Sequence, residues 1–141
     1  SIDHLKMGLI RSGQTSLTPA DDAKLTAYLW PIVREIVKTA IENRQNLIVE
    51  GCYIPFTWQE DFSEEYLRDI RFFCLILSEG YIRAHFDAIR DYANTIEQRV
   101  DDSALSPTDL IQENAETLAA CQKYGLEHLL VTDAYPTECP L

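Results

Sequence analysis

Asn46-Leu47-Ile48-Val49-Glu50-Gly51 is the stretch on which the fold turns. Three aliphatic residues in succession, closed by a carboxylate and a glycine, read as a short buried β-strand. Two further runs have the same character. Phe72 to Leu77 (FFCLIL) is unbroken apolar sequence, as expected of a strand covered on both faces, and His128 to Asp133 (HLLVTD) is a shorter version of it. Long helical patterns separate the three runs. Strands joined by such connections form βαβ crossovers, so the expected fold class is α/β with a parallel sheet. In open parallel sheets ligands sit beyond the carboxyl ends of the strands. That crevice would be bounded by Glu50 and Gly51, Ser78 and Glu79, and Thr132 and Asp133.

The helical patterns carry their own start and stop signals. Residues Ser1 to Leu17 read as loop or short helix. Thr18-Pro19-Ala20-Asp21 combines a capping threonine, a proline suited to a first helical position and a first-turn carboxylate. It opens a stripe at spacings of three and four, from Leu25 through Leu29, Ile32, Val33, Ile36 and Ala40, ending near Arg44. Pro31 lies within the stripe and is expected to kink it. Cys52 to Asp61 reads as loop and Ser63 to Asp69 as a short helix. Ser78 is a candidate cap for a helix carrying Tyr81, Ile82, Phe86 and Ile89, and Asn94 to Val100 is a more polar helical stretch. Ser106-Pro107 begins the last helix, which Gly125 stops.

Composition narrows the function classes. At 141 residues the chain suits one domain, and its hydrophobic share of 46% is ordinary for a globular protein. A net charge of −11 repels phosphodiester backbones and anionic lipid, so neither nucleic acid nor a membrane is an expected partner. No apolar run approaches the roughly 20 residues of a membrane span, and no charged-then-apolar leader opens the chain. The four cysteines, Cys52, Cys74, Cys121 and Cys139, form no C-x-x-C pair and read as reduced thiols of a cytoplasmic protein. There are only five glycines, and no glycine cluster. Gly8 to Thr15 has the spacing of a phosphate loop. Gln14 stands where the lysine belongs, and no strand precedes it. No metal site is expected: His85 and His128 are not spaced with cysteines as zinc ligands.

Three groups of residues could carry chemistry. Glu50 closes its apolar run, where a carboxylate could orient Mg²⁺ or polarise an acceptor; it could equally leave the sheet and meet solvent. Arg83, Arg90 and Arg99 concentrate positive charge in one segment. Guanidinium forks suit phosphate oxygens, while i,i+4 pairing of Arg83 with Asp87 and i,i+3 pairing of Arg99 with Asp102 would make them surface ion pairs. Asp3, His4 and Lys6 cluster at the start, where an acid–histidine pair could move protons or simply be solvated.

In order, these residues resemble a family. Asp3-His4-Leu5-Lys6, a long helix, LIVEG with Pro55, FFCLIL, Tyr81 and Arg83, Ile89-Arg90, Asn94 to Arg99 and HLLVTD look like the P-loop small-molecule kinases related to adenylate kinase, including the 2-phosphoglycerate kinase-like and zeta-toxin-like group. The resemblance implies a three-layer parallel sheet of the P-loop NTPase type, N-terminally truncated, in one domain spanning 1–141 with a lid-like helical segment at about 83–106. It implies Asp3 and Glu50 as catalytic acids, and Lys6, Arg83, Arg90 and Arg99 as phosphate- or substrate-binding residues. The cofactors it implies are ATP and Mg²⁺ in a full-length parent, and the partner a small-molecule phosphoryl acceptor. The family's first strand and its lysine-bearing phosphate loop would precede Asp3, so this chain alone is expected to bind ATP poorly and to be inactive as a kinase. A central strand would also be missing, exposing sheet edges and favouring self-association. The alternative is a non-catalytic protein-interaction module on a degenerate kinase scaffold. A third reading is an unrelated α/β enzyme with its site at Glu50 and Asp133.

Overall fold

The computed structural model describes residues 1–92 and 106–135. The chain divides into two compact units, Ser1–Ile70 and Arg71–Leu141.

The first unit is built on two helices. Helix α1 (Ile2–Arg11) starts at Ser1, whose hydroxyl accepts from the Asp3 amide at 3.2 Å. Asp3 in the first turn and Arg11 in the last complement the helix dipole. Its buried residues, Ile2 and Lys6, lie four apart on one face. Helix α2 (Asp22–Glu42) buries Leu25, Leu29, Trp30, Val33 and Ala40, the stripe read from the sequence. It begins three residues later than the Thr18-Pro19 signal suggests. The Asp21 carboxylate accepts from both the amide and the hydroxyl of Thr18, which closes a turn ahead of the helix. Pro31 sits inside α2 without ending it. A 3₁₀ turn (Trp58–Asp61) and the short helix α3 (Glu64–Leu67) follow. Trp30 and Trp58 each meet Phe62 edge-on at 6.0 Å, and the Trp30 indole donates to Asp61 at 2.7 Å. Edge-to-face pairs add about 0.5–1.5 kcal/mol each beyond the area they bury, so this cluster anchors the loop onto α2.

The second unit holds the sheet. Strands β1 (Cys74–Leu77) and β2 (His128–Val131) pair in parallel, Cys74 opposite His128 through Leu77 opposite Val131. Helix α4 (Glu79–Tyr92) starts where the Ser78 hydroxyl accepts from the Tyr81 amide, and it kinks at His85. Helix α5 (Pro107–Tyr124) packs on β1 and α4; Ser106 caps it, and Gly125, in the left-handed region at φ 64°, ends it. Ile76, Ile82, Cys121, Leu126 and Val131 form the core.

Two strands are too few for the expected architecture. Residues 46–50 are extended but belong to no sheet, and Leu47 and Ile48 are 47% and 78% exposed. The three-layer parallel sheet of a P-loop NTPase is therefore not formed. The protein is mainly helical, with a minimal open sheet. The physical reason lies in what makes a strand. An apolar triplet supplies propensity, but a strand exists only where a neighbour takes its backbone bonds. The 94–100 helix, most of the segment about 83–106, Arg99 and Cys139 fall outside the described residues.

Candidate functional site

Asp3 and Lys6 are one turn apart on α1, and the structure joins them. The Lys6 ammonium, only 3% exposed, donates to Asp3 Oδ1 at 2.8 Å. It also donates to the Tyr53 hydroxyl at 3.3 Å and lies 5.2 Å from the centre of that ring. The Tyr53 hydroxyl in turn donates to Asp22 Oδ1 at 3.3 Å. A buried charge is tolerable only when paired and hydrogen-bonded. This chain of contacts does that for Lys6, and it ties α1, the start of α2 and the turn carrying Tyr53 together. Burial pushes the Tyr53 phenol up to about 12, against the pull of the Lys6 hydrogen bond. The thiol of Cys52 is also pushed up, first by desolvation and then by the carboxylates of Asp3 and Asp22. A thiol so held is a poor nucleophile.

Glu50 lies beside the same helix start. Its half-exposed carboxylate faces the Ser1 ammonium at 3.6 Å, and its carbonyl accepts from the Ile2 amide at 2.9 Å. Gly51 makes this approach possible: at φ 145° a side chain would be strained, and a Cβ would stand 2.9 Å from Ile2 Cβ.

Arg83 and Arg90 belong to the second unit and are both paired on α4. Arg83 bonds Glu79 at 2.8 Å, rather than the Asp87 that spacing also allowed, and Arg90 bonds Asp87 at 3.0 Å. Both guanidiniums are at least half exposed.

The other notable geometry is the sheet edge. The amides of Cys74 and Ser78 donate to the carbonyls of Glu127 and Val131. Alternation along the strand therefore turns Leu75 and Leu77 to the far side of β1. There the Leu77 amide is taken by the Asn114 side chain of α5 at 2.8 Å, while Asn114 Nδ2 holds the Leu110 carbonyl at 2.9 Å. Among the described residues no strand occupies that side.

Tyr53, Asp22 and Asn114 were not among the sequence candidates. Asn114 left a readable signal, being a polar residue three and four positions from Ile111 and Leu110, on the apolar stripe of its helix. Tyr53 left none, since only the chain's return past α1 brings it to Lys6.

Comparison with protein-family profiles, curated proteins and solved structures finds no match to this chain. The resemblance to P-loop kinases is corrected by the fold. The Gly8–Thr15 stretch is the end of α1 and the turn after it, not a loop between strand and helix, so no phosphate cradle is formed. No group of three or more His, Cys, Asp or Glu among the described residues is placed to hold a metal. The implied ATP, Mg²⁺ and phosphoryl transfer, and with them the degenerate kinase scaffold, are accordingly withdrawn. No helix among the described residues is long and apolar enough to cross a membrane.

Proposed function

We propose that this chain is a self-associating interaction module whose working surface is the free edge of β1. The observation that carries the reading is the mismatch between the sequence of β1 and its surroundings. Parallel strands with neighbours on both sides read as unbroken apolar runs, whereas edge strands are guarded by charge, proline or bulges. Phe72 to Leu77 has no such guard, yet it has one neighbour. β2 fits the edge role, with His128 exposed and Thr132 and Asp133 following it. Asn114 stands where the carbonyl of a further strand would lie, holding one outward amide, while the outward groups of Leu75 are open to strand addition.

Hydrogen exchange at the Leu75 amide, read alongside sedimentation velocity, tests this. Exchange should slow as protein concentration rises and the sedimenting mass increases. A chain that stays monomeric up to about 1 mM, weaker than any useful association, sinks the reading, as does a dimer whose Leu75 amide exchanges unchanged.

A further inference from the structure

Residues 46–49 are the counterpart of that edge. They are extended, carry Leu47, Ile48 and Val49 in succession, and belong to no sheet among the described residues. Ile48 at 78% and Leu47 at 47% are large aliphatic side chains turned to water. Leu47 also borders an open groove of about 430 Å³ against α2, lined by Ile32, Ile36 and Ala40, with Ile36 itself 43% exposed. An apolar patch continuous with strand-type backbone is what an added strand looks like before it finds a sheet. The chain thus displays both an edge lacking a strand and a strand lacking a sheet, and β1 at four residues matches Leu47 to Glu50 in length.

Resting on the proposed self-association, we infer that the strand taken up by the β1 edge is residues 46–49 of a second copy. The opposing force is electrostatic. Two chains of −11 repel, and that repulsion is screened once the Debye length falls below the spacing of the charges. Association is therefore stronger at about 0.3 M salt than at about 0.02 M.

The test compares the wild-type chain with Ile48→Lys and Ile48→Pro by sedimentation velocity and Leu75 exchange. Ile48 is exposed, so the isolated fold accommodates a lysine there, and the substitution lowers the net negative charge by one. Any loss of association therefore cannot come from added repulsion. Proline removes the amide a ladder needs. Both variants should weaken association by at least about tenfold and leave Leu75 exchange fast at concentrations where the wild type is protected. Wild-type-like association of both variants with Leu75 still protected overturns the assignment of residues 46–49 while leaving strand addition standing. A wild-type chain that never associates overturns both.

Discussion

Replacing Lys6 with methionine keeps most of the buried stem and removes the charge, so it isolates what the ammonium does. Three contacts are lost: the charge-assisted bond to Asp3 at 2.8 Å, the longer bond to the Tyr53 hydroxyl at 3.3 Å, and the approach to the Tyr53 ring. Breaking a fully buried ion pair by removing one partner costs about 3–5 kcal/mol. Asp3 is 22% exposed, so water recovers part of its solvation, and the methionine side chain gains from burial where the lysine ammonium was costly. We expect a loss of about 1–2 kcal/mol for Lys6→Met and about 2–4 kcal/mol for Lys6→Ala, which also leaves a cavity. The assay is unusually clean. Both tryptophans of the chain, Trp30 and Trp58, lie in the first unit, so urea unfolding followed by tryptophan fluorescence reports that unit alone. A midpoint for Lys6→Met equal to or above that of the wild type, with an unchanged slope, would refute the claim that the Asp3–Lys6–Tyr53–Asp22 chain holds the unit together.

Gly51→Ala should destabilise the same unit by about 2 kcal/mol or more, because the backbone conformation disfavours a side chain and Ile2 has nowhere to retreat; the fluorescence midpoint checks it. Asn114→Ala should cost about 1–2 kcal/mol, read by circular dichroism, since it leaves the Leu77 amide without its acceptor. At alkaline pH the sign follows from Tyr53: its folded value of about 12 lies above the usual 10, so its contribution is complete below about pH 10 and is lost as pH rises through about 12. Tyr53→Phe should flatten that part of the stability profile, and an identical alkaline fall in both proteins would count against the assignment. Among the described cysteines, exposed Cys52 should be alkylated in the native protein. Buried Cys121, and Cys74, whose thiol is pushed up to about 12 by burial and by Cys121, should react only on unfolding, as peptide mapping will show.

Much of the local structure was legible because its signals are local. Ser106-Pro107 and Gly125 bracket α5, Ser78 starts α4, and the spacing of Leu25, Leu29 and Val33 places α2. Each depends on groups within a turn or two along the chain. The failures all involve distance. Leu47 to Val49 has strand chemistry and no strand to pair with. Thr18 and Asp21 close a turn rather than a first helical turn. Of the candidate residues, Asp3 and Lys6 meet each other, and Glu50 meets the chain start. The partners of Arg83 and Arg90 show how spacing alone admits several ion pairs and the rotamers select one.

By itself, then, the sequence determined the helices, their caps and stops, the apolar character of β1 and β2, and the charge that any association must overcome. These follow from backbone hydrogen bonding and side-chain period, which neighbours in sequence decide. Only the tertiary structure decided which apolar runs become strands, that Lys6 is buried against Tyr53, and that Asn114 covers one amide of β1 while Leu75 stays open. Those outcomes rest on which groups meet across tens of residues, and a carbonyl, a ring or a strand edge leaves no mark at the position it will eventually touch.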